Sequence, residues 1–340
     1  MKITFYFLLI ATTLSHQHIP FIRHFDFISF SSVSFLSDQI SLKFNALNST
    51  FHLLLERNDF LIHSDTTLVI HNVLTSKEST HTIVAYPYKG IVKDANPLMK
   101  NWARILFHKD PSTTPLKKLD FDGHFAFNGQ MYHISTIDFY RRSMRHGLDV
   151  SIIPKDQRDD IHRNARMILY KDTDSDNHKE SHSSSQHKAE YGCGYIPSDV
   201  NEAAMDHFAK LKNQSRRLSK RAVTPATCFQ SSKKVVSMAA AADCTYTTNF
   251  GGSENTLNRI LSDWNSASQV YEQTFNIQLA LSQVKILQGC GDFNGESLPW
   301  NVACSDAFTV NKRLSAFSQW RGSKSADTIG LWHLLTKCKY

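Results

Sequence analysis

The 340-residue chain has no apolar run approaching the roughly twenty residues that a bilayer-spanning helix needs, so nothing in it is expected to hold it in a membrane. Phosphate-cradling glycine motifs are missing, as is a Gly-x-Ser-x-Gly turn, which removes the usual nucleotide cradles and the elbow of a serine hydrolase. No internal repeat is visible. A basic face with interleaved aromatics is also lacking. The formal net charge of +7 comes largely from two clusters, Arg141 to Arg166 and Arg216 to Arg221, and a nucleic-acid footprint needs a patch rather than a balance. Nucleic acid is therefore not an expected partner.

What is present begins with MKITFYFLLIATTLS, residues 1–15. It has a positive start at Lys2, an apolar core from Ile3 to Ala11, and small residues at Thr13 and Ser15. That pattern predicts a signal peptide and places the protein in the secretory pathway, extracellular or at the cell surface. Two glycosylation sequons, at Asn48 and Asn213, fit that route. The length accommodates two domains, and the apolar fraction of 41% is that of a folded protein.

Six cysteines in an exported chain suggest disulfides. Their placement is uneven, because Cys193 stands alone before the dibasic pair Lys220-Arg221 and Cys228, Cys244, Cys290, Cys304 and Cys338 follow it. Those five are the disulfide candidates, and their odd number leaves one without a partner if Cys193 is free. Cys290 and Cys304 bound a Gly-rich loop that a bridge could pin. Cys193 sits between Gly192 and Gly194 in the stretch from Ala189 to Ala222. A thiolate binds zinc tightly and flanking glycines let the backbone approach closely, as a latency latch requires. A small buried thiol is the commoner use of such a residue.

Residues 16–170 read as one β-rich domain. Phe51, Leu53 and Leu55 alternate with His52 and Leu54, and residues 68–73 and 81–88 are rich in β-branched and aromatic side chains. Residues 121–134 predict a hairpin, with Asn128-Gly129 supplying the positive φ of a tight turn. Residues 171–188 are a polar linker that cannot bury enough surface to offset its ordering entropy. His178, His182 and His187 within it have no fixed surroundings that would make a metal site. The linker region is expected to run to Arg221.

From Ala222 the character changes. Residues 233–242 suit a buried strand, although their four consecutive alanines would equally suit a helix. Residues 253–275 predict the best helix, with Leu257, Ile260, Leu261, Trp264, Ala267, Tyr271 and Phe275 inward and Ser253 as its cap. Ile277, Leu279 and Leu281 then alternate as a strand that shifts phase to Val284 and Ile286. A second helix over 306–320 is expected to turn Val310, Leu314 and Phe317 inward, and 329–335 predicts a last strand. Strands alternating with helices predict an α/β sheet, so the whole reads as α+β.

The segments KKVVSMAAAADCTYT, SENTLNRILSDWNSASQVYEQTFNIQLALSQVKIL and PWNVACSDAFTVNKRLSAFSQWRGSKSADTIGLWHLLTKC, with Trp264, Trp300, Trp320 and Trp332, resemble the first half of the reprolysin metalloprotease domain. They are most similar to the fungal-type ADAM proteins (a disintegrin and metalloprotease). The front segments STFHLLLERNDFLIH and GHFAFNGQMYHI resemble the propeptide of that family. The resemblance implies a β-rich propeptide domain followed by an incomplete α/β metzincin-like domain over 222–340. It further implies the latent precursor of a secreted or membrane-bound zinc endopeptidase acting on peptides or proteins. Cys193 would be the switch ligand on the zinc, and Lys220-Arg221 the site at which a kexin- or furin-type protease frees Ala222.

The family holds its zinc with His-Glu-x-x-His-x-x-Gly-x-x-His on a helix, where the glutamate activates the zinc-bound water. None of the 17 histidines here is followed by glutamate. In the family that motif lies downstream of the strand expected to end near Thr336. The resemblance therefore implies no catalytic residue and no metal ligand in the mature part, no zinc bound by this chain alone, and a Cys338 without its partner. The alternative is a secreted binding protein that inhibits an intact relative through Cys193.

Overall fold

Alternation of apolar and polar residues builds the first sheet, because successive side chains in a strand point to opposite faces. In the computed structural model the described residues are 22, 24–36, 38–93, 95–96, 98–99, 101–143, 166–174, 233–324 and 329–338. Nine strands join: β1 (Asp26–Phe27), β2 (Ser29–Leu36), β3 (Gln39–Ala46), β4 (Ser49–Arg57), β7 (Tyr86–Val92), β8 (Trp102–Phe107), β9 (Phe121–Phe127), β10 (Gln130–Thr136) and β11 (Met167–Lys171). Their order is β1-β11-β10-β9-β8-β7-β4-β3-β2, with every pairing antiparallel. Phe51, Leu53 and Leu55 are buried as their alternation predicts, beside Phe44, Phe107, Phe121 and Phe125. The hairpin of β9 and β10 turns at Asn128 and Gly129, with φ of 51° and 78°.

The second sheet draws on both ends of the chain. It orders β14 (Leu331–Leu335), β12 (Lys234–Ala242), β13 (Ile277–Gln288), β5 (Ile62–Asn72) and β6 (Lys77–Thr82). β12 runs parallel to β13 and to β14, as strand–helix alternation predicts. β5 and β6 come from the front segment, and β5 lies parallel to β13 over Thr67–Asn72 against Gln283–Gln288. The run expected over 81–88 is consequently split. β6 ends at Thr82, Ile83 and Ala85 are buried in the second core, and β7 begins at Tyr86 in the first sheet. The phase shift read between Leu281 and Val284 is a register shift past Ser282 in the pairing with both neighbours of β13.

Four α-helices occur among the described residues: α1 (Ile137–Ser143), α2 (Cys244–Asn249), α3 (Ser253–Phe275) and α4 (Val310–Gly322). The fold is thus mainly strand with few helices. The bounds of α3 are those read from the sequence, but two details are corrected. Gly252, with φ of 121°, occupies the cap position, and the Ser253 hydroxyl instead accepts from Gln288. Tyr271 and Phe275 are exposed while Ser262, Asn265, Ser268 and Gln269 are buried, because a second face of the helix meets the first sheet. In α4, Leu314 is exposed and Arg313 points inward with Phe317 and Trp320. The cause is a buried acid, Asp243, described below.

The cysteine expectations are also corrected. Cys244 pairs with Cys290, and Cys304 with Cys338. Parallel strands bring their carboxy-terminal ends together. Cys244 follows β12 and Cys290 follows β13, so the two sulfurs meet there rather than across the loop from Cys290 to Cys304. Cys338, which follows β14, has a partner within the chain. Cys228 lies outside the described residues.

Candidate functional site

Among the described residues two buried polar centres stand out, one past the end of β12 between α2 and α4 and one on α3. The first lies past the end of β12. Asp243 caps α2 by accepting from the Tyr246 amide at 2.8 Å, and its other oxygen accepts from Arg313 Nη1 at 3.0 Å. Both side chains are fully enclosed. Arg313 also donates to the carbonyls of Trp300 at 2.6 Å and Val302 at 2.8 Å. Burial lowers the pKa of the guanidinium, while Asp243 works to keep it charged. The pair ties the start of α2 to α4 and the loop before it, next to Cys338.

The second centre is the seam between α3 and the first sheet. A helix needs one apolar stripe to sit on a sheet, and Ile260, Leu261 and Trp264 supply it against the second sheet. On the other side, Asn265 Nδ2 donates to the carbonyls of Tyr88 at 3.1 Å and Ile105 at 3.2 Å. Its Oδ1 accepts from Asn58 Nδ2 at 2.9 Å. One turn on from Ser268, Glu272 accepts from Arg104 at 3.2 Å, both side chains being almost wholly buried. Gly123 opposes Ile105 in β8, and an added Cβ there would lie 2.2 Å from the Arg104 carbonyl, so only glycine lets β9 come so near β8.

Histidines fill the rest of the seam. His124 Nδ1 shares a 2.6 Å hydrogen bond with Ser266 Oγ on α3. The His124 ring meets His133 edge-on at 4.6 Å. His133 in turn stacks on Tyr170 and bonds Asp172 at 3.0 Å. Burial holds the His124 imidazole well below its ordinary pKa, with His133 and Arg259 adding to the effect. His133 is also held down by burial, against the pull of Asp172. His108 behaves oppositely. Burial presses its pKa down, but the Asp122 carboxylate at 2.6 Å overcomes that and the net direction is up.

Of the residues singled out by sequence, Asn48 is exposed at the tip between β3 and β4 with φ of 55°, open to modification. Cys193, Lys220, Arg221, Asn213, His178, His182 and His187 lie outside the described residues. Among the described residues no three His, Cys, Asp or Glu side chains converge as a metal site would require, so those residues do not fit a zinc ion. Asn265, Arg104, Glu272 and the His124–His133 pair were not singled out by sequence reasoning. A signal existed in α3, where Ser262, Asn265, Gln269 and Glu272 recur at three- and four-residue steps, but a polar stripe ordinarily reads as a solvated face.

Residues 232–340, which carry β12, α3, β13 and β14, match the model of the family described as Metallo-peptidase family M12. The chain is similar to disintegrin and metalloproteinase domain-containing protein B of several fungi. It is 40% identical to that of Arthroderma otae over 112 residues, 31% of this chain and 14% of the relative. The Trichophyton verrucosum protein is 33% identical over 150 residues, 42% and 18% of the two chains. The Aspergillus fumigatus protein is 26% identical over 295 residues, 76% of this chain and 36% of the relative, so the similarity reaches into the front segment. The segment over residues 232–340 is therefore similar to the metallopeptidases of family M12. Among the relatives, the likeness is to part of ADAM-type proteins. The matches span only 14% to 36% of these relatives' length.

Proposed function

We propose that the chain is the front part of a secreted, latent ADAM-type zinc endopeptidase precursor. Residues 16–170 serve as the propeptide, Cys193 as the ligand that occupies the zinc of the complete enzyme, and Lys220-Arg221 as the processing site. The observation that carries this reading is the second sheet. Strands β5 and β6 of the front segment extend a sheet whose other strands lie in the family-matched segment. A front segment built into the peptidase-type sheet suits a precursor whose propeptide steadies and restrains its enzyme. The disulfides fit an extracellular protein, and no helix among the described residues is long and apolar enough to cross a membrane. No histidine is followed by glutamate, so on this reading the chain by itself is expected not to hydrolyse peptides. Zinc would provide Lewis-acid activation of water only where the family's three-histidine motif is present.

The test is expression through a kexin-containing secretory pathway, followed by sequencing of the product's amino terminus and a peptide-hydrolysis assay. A new terminus at Ala222 and no chelator-sensitive hydrolysis are expected. An uncut precursor would remove the processing role, and zinc-dependent hydrolysis by the purified chain would remove the assignment of inactivity.

A further inference from the structure

The two disulfides are alike in access. Each joins a buried cysteine to an exposed one: Cys244 is 1% exposed and Cys338 8%, whereas Cys290 and Cys304 lie at the surface. A thiolate arriving from solvent therefore attacks Cys290 or Cys304, and the buried cysteine is the one expelled. Exchange is faster the better the departing thiolate is stabilised. The bridges differ in what surrounds that departing sulfur.

Cys338 Sγ accepts from Arg313 Nη2 at 3.1 Å. The guanidinium divides its donors. Nη1 serves Asp243 and the carbonyls of Trp300 and Val302, which leaves Nη2 to the Ala303 carbonyl, at 3.3 Å, and to the sulfur. Arg313 is fully enclosed, and the Phe308 ring lies 5.2 Å from its guanidinium carbon, so the donor is already in place when charge forms on Cys338. The Thr245 hydroxyl stands 3.7 Å from the same sulfur and donates to Asp243. At the other bridge the Cys244 amide donates to Asn301, but among the described residues no hydrogen-bond donor reaches the Cys244 sulfur.

A sulfur in a disulfide is a weak acceptor and a thiolate is a strong one, so the bond from Arg313 strengthens as the bridge breaks. Such a contact favours the transition state over the ground state. We propose that Cys304 is a site of reversible modification by small thiols, with Cys338 as the departing sulfur and Arg313 as the residue that receives its charge. The incoming thiolate bonds to Cys304 Sγ while the Cys304–Cys338 bond breaks, and the electron pair of that bond leaves on Cys338 Sγ. One disulfide replaces another, with no net oxidation or reduction. When the small thiol is withdrawn, Cys338 attacks Cys304, expels the adduct as its thiolate and restores the bridge. Opening unties the end of β14 from the loop before α4, and the inference stands apart from the precursor reading.

The experiment uses the full chain, with any free thiol first blocked by N-ethylmaleimide. It is exposed to reduced glutathione near neutral pH, quenched in acid, unfolded, alkylated and mapped by mass spectrometry over time. Glutathione is expected on Cys304 and the alkyl group on Cys338. The Cys304–Cys338 bridge should open about tenfold faster than Cys244–Cys290, which serves as the internal reference. A glutathione adduct on Cys338, or a Cys244–Cys290 bridge that opens as fast or faster, would overturn the proposal.

Arg313→Met then isolates the guanidinium. A loosened fold speeds both bridges, so the quantity read is the ratio of their opening rates. That ratio should fall about tenfold, towards one, when Arg313 no longer receives the departing charge. An unchanged ratio in the folded variant would contradict the role given to Arg313. If the variant does not fold, the wild type decides alone, by the order in which its bridges open and by which sulfur of the first carries the adduct.

Discussion

Arg313→Met should lower the stability of the fold by about 3–5 kcal/mol, because it leaves the Asp243 carboxylate buried without its counter-ion. The aliphatic stem is retained, so the loss reports charge and hydrogen bonding rather than volume. Three carbonyls, of Trp300, Val302 and Ala303, lose a donor at the same time. Urea unfolding should show the midpoint falling with little change in slope. Adding Asp243→Asn should restore part of the loss, since the uncompensated charge goes even though the pair is not rebuilt. A midpoint within experimental error of the wild type would mean that the pair contributes nothing to the fold.

Asn265→Leu has the second-largest expected effect, about 1–3 kcal/mol, and it acts on the seam. Leucine is a better helix former than asparagine, so intrinsic propensity favours the change and the sign is diagnostic. The loss comes from the Asn58 amide, which forfeits its buried acceptor, and from the carbonyls of Tyr88 and Ile105. A double-mutant cycle with Asn58→Ala should give a coupling of about 0.5–3 kcal/mol, as contacting groups do. An Asn265→Leu protein as stable as the wild type would show that the polar face of α3 is not held by the first sheet.

What the sequence disclosed depended on whether a residue's role was local. Phe51, Leu53 and Leu55 alternate because β4 has one buried face, and Asn128-Gly129 turns the β9–β10 hairpin because both need positive φ. These are contacts within a few residues, and the pattern carries them. The helix over 253–275 was legible for the same reason. The hairpin of β5 and β6 was not, because its membership in the second sheet is decided by a partner more than two hundred residues away. Alternation says that a strand has a buried face, not which sheet will bury it.

Leu314 and Arg313 show the opposite failure. Apolar periodicity favoured the leucine, and the buried acid that draws the arginine inward is seventy positions earlier in the chain. Cysteine pairing failed similarly, since Cys244 and Cys290 meet only because β12 and β13 end side by side. The polar seam on α3 was written in the sequence as Asn265 and Glu272, two turns apart. Those residues describe a solvated face equally well until the sheet above them is known.

Hydrogen exchange on the intact chain, read by mass spectrometry over residues 62–72 and 283–288, tests most directly whether the front segment completes the second sheet. Both stretches should be slow to exchange at neutral pH, and Ile70→Pro, which removes a backbone donor from β5, should speed the two together. Fast exchange over 62–72 beside a slow 283–288 in the unaltered chain, unaffected by Ile70→Pro, would contradict the strand addition on which the precursor reading stands.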